Sequence, residues 1–285
     1  NENYGDVSPS FPKKKRLKIG TLKVTSNGFR LGERFLKIIF DNATLHKVEE
    51  VYVTIFDKRP EQLRLIAMLE DWGFKEWGTK TTSSGEEKVF TKAFDKQADK
   101  ENPKLTFPFL PRDSNVFIVP IYKQYHTELF PDSILNTESP IDFIDGEPHR
   151  NAISKAYISR SYERNLQTGD IIVFYRTGGK YKGVATTIGI VENVKTDIKD
   201  GKELIAICRK RTVMTEKELM EFWNYNEKNR PFVVNFLYAW SFPKRPNLDA
   251  LIKLEVIPSV TDVPRGFRKI THEQFTNLAN FAYRK

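Results

Sequence analysis

The chain has 285 residues, of which 39% are hydrophobic and 13% aromatic, with 46 basic against 37 acidic groups and a net charge of +9. A mean hydropathy of −0.50 and the lack of any long apolar run exclude a membrane-spanning helix. With 21 Phe, 11 Tyr and 4 Trp, wholesale disorder is excluded too. A single cysteine, Cys208, rules out an internal disulfide framework and a cysteine-rich zinc site. It fits a reducing, cytoplasmic setting.

The length suggests one large or two ordinary domains. The chain opens at Asn1 with N-E-N-Y-G-D-V-S-P-S-F-P and no apolar segment, so this opening stretch is not expected to be a signal peptide. A start without Met leads us to expect a trimmed chain or a fragment of a longer one. The run Lys13-Lys14-Lys15-Arg16 reads either as a solvated strand entry or as a phosphate contact.

Leu17–Val24 alternates apolar and polar residues and predicts a half-buried strand. After a turn at 25–28, Phe35, Leu36, Ile39, Phe40 and Ala43 recur at helical spacing, predicting a helix over 32–44. A second strand is expected at Val48–Phe56. A second helix should start at Pro60 and end at Gly73, and a last strand lies at Val89–Phe94. This strand and helix order predicts a sheet with parallel character. Pro103, Pro108 and Pro111 then punctuate residues 95–112, which read as a linker or docking strap. The expected units are therefore residues 1–94 and 113–285. Both sides of the strap carry a small excess of basic groups, so charge does not separate the two parts.

Beyond the strap, Val116–Pro120 predicts a strand, and the following residues to Asp132, including His126, a loop or short helix. Asn151–Tyr162 reads as a helix. A hairpin follows, with Gly169-Asp170 leading into I-I-V-F-Y-R and then G-V-A-T-T-I-G-I-V-E-N-V. Leu204–Val213 is expected to be a strand. Thr215, with Glu218 three residues on, caps a helix to Asn224. Val233–Phe242 is a strand whose alternation places Phe236, Tyr238, Trp240 and Phe242 on one face. Helices close the chain at 247–254 and 271–282. No H-x-H, H-E-x-x-H or Asp/His cluster appears, so no protein metal site is expected.

Two motifs carry chemistry. In N-G-F-R-L-G-E-R, between the first strand and first helix, Gly28 and Gly32 permit close backbone approach and Arg30 and Arg34 add charge. Unpaired N–H groups at such a turn hold an anion. Around this motif the stretch Leu17–Phe94 resembles the cofactor-binding half of the GNAT acetyltransferases. Leu17–Val24 looks like the strand that pairs with the pantetheine arm of acetyl-CoA, and Asn27–Gly32 like the pyrophosphate loop. L-E-D-W-G-F at Leu69–Phe74 looks like the closing signature. The resemblance implies acetyl-CoA as cofactor and N-acetyl transfer. It places Leu22, Val24, Asn27, Gly28, Phe29, Arg30, Leu31, Gly32, Glu33 and Gln62 against that cofactor.

This sequence departs from the family in three ways. Asn27 and Arg30 replace usual loop residues. Leu69 stands where a proton-donating tyrosine is frequent. The cofactor strand begins as early as Leu17, although an acceptor-binding half is expected ahead of it. No catalytic residue can be assigned.

The second motif set is G-D-I-I-V-F-Y-R with its hairpin, together with the Phe267–Leu278 ending. It resembles the PUA-like superfamily of small β-barrels (PUA, ASCH, EVE and YTH domains), whose members bind RNA or DNA. The density of aromatics from Phe222 to Phe242, flanked by Arg209-Lys210-Arg211 and Lys244-Arg245, suits a single strand or a flipped base. Its other reading is a barrel core. Asn151, Ser154, Lys155, Trp240, Arg209 and Arg211 are the candidate nucleic-acid contacts.

The expected class is α+β: a partial GNAT-like mixed sheet, then a PUA-like small β-barrel with flanking helices. The main functional expectation is an acetyl-CoA-dependent transferase acting on an RNA-linked acceptor, with a toxin-like role and an antitoxin or other protein partner by family analogy. The alternative is a non-catalytic nucleic-acid reader with a degenerate acetyltransferase half.

Overall fold

A computed structural model describes residues 6–20, 31–94, 97–133, 151–179 and 181–284. The chain is α+β, built on two curled sheets. The first runs β1 (Val7–Ser8), β2 (Arg16–Ile19), α1 (Leu31–Leu45), β3 (Glu50–Ile55), α2 (Pro60–Asp71), β4 (Lys75–Thr82) and β5 (Gly85–Ala93), in the order β1-β4-β5-β3-β2. Strands β2 and β3 pair in parallel across α1, while β3–β5, β4–β5 and β1–β4 are antiparallel.

The expected parallel character is thus confined to one pair. The β4–β5 hairpin is not legible in the sequence because Lys75–Thr82 carries no apolar alternation; its side chains are half-buried or exposed throughout. The predicted strand Leu17–Val24 is described only as far as Ile19, and residues 21–30 lie outside the described set.

Both helices pack on the same face. Leu36, Phe40 and Ala43 of α1 are fully buried with Leu69 and Trp72 from α2. Gly73 ends α2 at φ +84°, where glycine carries no Cβ penalty. A Cβ there would also overlap the carbonyl oxygen of Leu105.

That contact shows what residues 97–113 do. They form a strap, with a short helix α3 (Pro103–Thr106), pressed against the first unit. Phe107 is fully buried, with ring centroids 5.4 Å from Trp72 and 5.7 Å from Phe40. Buried Lys92 donates to the carbonyls of Trp72 (2.7 Å) and Leu105 (2.6 Å), fixing the strap from below. Trp240 of the second unit donates to the Pro108 carbonyl at 3.2 Å. The same hydrophobic core holds Phe40, Trp72 and Phe107 together with Ile153, Ile190, Leu237 and Ala239. The two sheets therefore share a core across the strap.

The second unit contains β6 (Val116–Ile121), α4 (Lys123–Leu129), β7 (Ser154–Ser159), β8 (Ile171–Arg176), β9 (Val184–Lys195), α5 (Gly201–Cys208), α6 (Glu216–Asn224), β10 (Phe232–Ser241), α7 (Leu248–Lys253), β11 (Arg268–Ile270) and α8 (His272–Tyr283). The sheet order is β11-β6-β8-β9-β10-β7. Strands β6 and β8 are parallel and the other pairs antiparallel. The sheet curls until Tyr157 of β7 donates its hydroxyl to the Pro120 carbonyl of β6 at 2.6 Å. Burial raises the Tyr157 phenol pKa well above the usual tyrosine range, so it stays a donor. Inside the curl, Phe130, Phe174, Phe236 and Tyr238 pack ring on ring.

Three sequence expectations are corrected here. The helix expected at 151–162 is instead strand β7, paired with β10 from Phe232↔Ser159 to Leu237↔Ser154. Pairing along the whole strand, with alternate side chains inside the curl, outweighs a weak helical spacing. The strand expected at 204–213 is instead helix α5. Asp200 caps it by accepting from Glu203 N at 2.8 Å, and Leu204 and Cys208, one turn apart, bury against Leu219 and Trp223 of α6. The single aromatic face on 236–242 is broken by a register shift between Tyr238 and Trp240. Phe236 and Tyr238 point into the curl, while Phe242 joins the core under α7 and α8.

Candidate nucleic-acid interface

Two groups of polar and charged side chains stand out. The first lies where α1 meets β7. The Glu33 carboxylate, in the first turn of α1, accepts from the backbone N of Ser154 at 2.8 Å. Lys155 is 2% exposed, with Nζ 5.7 Å from the Tyr238 ring centroid. Lys37 of α1 stands 4.9 Å from the same ring and bonds Asp41 at 2.6 Å. A file of hydroxyls leads inward from there. Tyr238 bonds Ser241, Ser241 bonds Ser133, Ser133 bonds Thr187 (2.9 Å), Thr187 bonds Thr186 (3.1 Å), and Thr186 meets His126 Nε2 (2.8 Å). Burial, with Arg176 and Arg245 nearby, lowers the His126 pKa to about 3, so the ring is neutral. Burial also raises the Tyr238 phenol pKa.

This junction collects several predicted site residues and gives them tasks. Ser154 and Lys155 are both buried beside α1, and half-buried Trp240 turns to the strap. Gly32 faces α2, where a Cβ would overlap Met68 Sδ. Gln62 Oε1 accepts from the backbone N of Lys58 (3.1 Å) and Arg59 (2.9 Å), capping α2. Glu33 ties α1 to β7. Leu31 opens α1. Gly32, Glu33 and Gln62 of the candidate cofactor set thus have packing and capping tasks in the fold. Leu22, Val24, Asn27, Gly28, Phe29 and Arg30 lie outside the described residues.

Gly32→Ala is expected to change stability by less than about 1 kcal/mol. Met68 can turn its thioether aside, and alanine gains roughly 1 kcal/mol of helix propensity over glycine. An unfolding free energy from urea denaturation that changes by more than about 2 kcal/mol would contradict this account of the glycine.

The remaining predicted contacts are scattered. Half-buried Asn151 is the first residue described before β7. Arg211 is neutralised by Glu192 at 3.1 Å, which also pairs with Lys104, and its carbonyl accepts from Ala156 N. Arg209 is exposed at the end of α5.

The second group is one that sequence reasoning misses. At the far end of β7 and the start of β10, three arginines lie on aromatic rings. The Arg160 guanidinium is 4.2 Å from the Phe222 ring centroid and 4.6 Å from that of Tyr225. Arg164 lies 4.9 Å over Phe232, and Arg230 4.7 Å over Trp223. Hydrogen bonds lock the frame: Arg164 to Asn229 Oδ1 (2.5 Å) and to the Arg230 carbonyl (2.8 Å), and Asn229 Nδ2 to the Arg160 carbonyl (2.9 Å).

Among the described residues no carboxylate pairs with Arg160 or Arg164, and Arg160 Nε and Nη2 find no hydrogen-bond partner. Tyr162 (92% exposed) and Tyr225 (82%) flank the group. The chain segments 157–164 and 222–232 supply it. Reading the first as a helix keeps them apart, whereas the β7–β10 pairing brings them together.

A surface cleft of about 560 Å³ between the end of α2, α3 and Glu192 touches neither group. Among the described residues no three of His, Cys, Asp and Glu gather to hold a metal ion, and no helix is long and apolar enough to cross a membrane.

No protein-family model matches the chain, and no curated protein matches it. Among solved structures it is similar to the human THYN1 protein in complex with 5-methylcytosine-containing DNA. That match has 11% identity and a TM-score of 0.36, over 60% of this chain and 99% of that one. A likeness this distant carries no argument about what the chain does.

Proposed function

We propose that this protein binds nucleic acid, as a reader and not as an acetyltransferase. In this reading the second unit is a PUA-like barrel that presents the contact surface, and the first unit is a structural half fused to it. One observation carries the reading: Arg160, Arg164 and Arg230 are laid on aromatic rings beside two exposed tyrosines. Stacking holds each guanidinium in one orientation, a role that suits arginine better than lysine; Arg160 and Arg164 have no carboxylate partner among the described residues, whereas Arg230 pairs with Glu227 at 3.5 Å. The commitment of Gly32, Glu33 and Gln62 to the fold supports a non-catalytic first unit.

Phosphate binding of this kind releases counterions. If Arg160 and Arg164 each neutralise one phosphate, a labelled single-stranded oligonucleotide should lose about 7-fold in affinity between roughly 50 and 200 mM salt. Fluorescence anisotropy across that range tests it, and a flat response would remove the reading. Acetyl-CoA at millimolar concentration should give no saturable heat in calorimetry. A clear isotherm would restore an acetyl-CoA site in the first unit.

A further inference from the structure

We infer that the nucleic acid bound at this surface is single-stranded, with bases stacked on Tyr162 and Tyr225; this rests on the nucleic-acid reading above. Among the described residues the two rings are the most exposed aromatics of this unit, at 92% and 82%, ahead of Tyr181 at 73% and Tyr122 at 67%. Their neighbours Phe232 and Trp223 are buried. Tyr162 stands two positions beyond Arg160, on a turn held by Ser161, whose Oγ accepts from Phe267 N at 3.1 Å. Tyr225 is the C-cap of α6, and its ring lies on the Arg160 guanidinium. One platform therefore lies on Arg160 and the other follows it by two residues in the chain.

The Arg160 guanidinium lies against both Phe222 and Tyr225, with Nε and Nη2 buried, so it holds the Tyr225 ring in place while the outer face of that ring stays open. Splayed bases can stack on such an exposed ring. Bases stacked inside a duplex offer no free face to a tyrosine without being unstacked first.

The test uses the full chain and four labelled probes: one short strand as RNA and as DNA, and each paired with its complement. We expect at least one single strand to bind tenfold or more tighter than its own duplex. Tyr162→Ala and Tyr225→Ala should each weaken that strand by about 5- to 100-fold, leaving the weak duplex affinity unchanged. Tyr225→Phe should retain binding, because the ring does the stacking. Equal or tighter binding of the duplex, or alanine variants that leave the single strand unaffected, would overturn the inference while leaving nucleic-acid binding intact. Failure of all four probes to bind would overturn the reading it rests on. Because Tyr162 is so exposed, its alanine variant should fold as the parent does and keeps the test decisive.

Discussion

Phe107→Ala should cost about 3–5 kcal/mol, the range for emptying a large buried aromatic site. The ring is fully buried against Trp72 and Phe40, and the strap that carries it is fixed by Lys92 to the Leu105 carbonyl. Collapse around the hole is restricted, because Gly73 already lets the Leu105 carbonyl approach as closely as it can. The core that loses the ring also contains Ile153, Ile190, Leu237 and Ala239 from the second unit. The loss should therefore lower one shared transition and not only the first half's. Urea denaturation followed by circular dichroism and tryptophan fluorescence would show it. A loss under about 1 kcal/mol, well below the range for a buried aromatic ring, or two separated transitions in the parent protein, would refute the shared core.

The second large effect concerns acid. His126 is fully buried, its Nε2 meets the Thr186 hydroxyl, and its Nδ1 has no partner among the described residues. Burial, and then Arg176 and Arg245, hold its pKa near 3 in the folded chain against 6.5 for an ordinary histidine. Below pH 6.5 the unfolded chain takes up a proton that the folded chain refuses. Stability from this group is therefore complete above pH 6.5 and falls by about 1.4 kcal/mol per pH unit on the way down towards 3. Between pH 7 and pH 5 the loss should be about 2 kcal/mol. His126→Gln keeps a polar partner for Thr186 without titrating, so its stability should fall by about 2 kcal/mol less over the same interval. Equal pH slopes for the two proteins would show that His126 is not the group responsible.

Much of the fold is legible in the sequence because local chemistry and tertiary structure agree. The helix started by Pro60 and stopped by Gly73 and the Thr215–Glu218 capping box appear where their residues put them. So do the β8–β9 hairpin and the apolar face of α1. The misreadings fall where local signal is weak. Serines and a lysine at 154–159 suit several conformations, and only pairing with β10 makes them a strand. At 201–208 the deciding residue is the Asp200 cap, and apolar content alone does not separate helix from strand there.

The candidate site divides in the same way. Ser154 and Lys155 read in sequence as pocket residues, and they do lie beside Tyr238, yet buried under α1. The Arg160 group is hidden from sequence reasoning because its members come from two segments far apart in the chain. The glycine at position 32 reads in sequence as room for a phosphate, and in the fold as room for Met68.

Composition, caps and periodicity act over a few residues. They are enough to settle the α+β class, the succession of most elements, the place of the strap and the lack of a spanning helix. They do not reach further. That the strap is a shared core and not a loose linker, that Lys155 is buried, and that three arginines meet aromatic rings beside two exposed tyrosines emerge only in the assembled fold. Each of those depends on strand pairing and burial between residues distant in the chain, for which no short-range pattern exists.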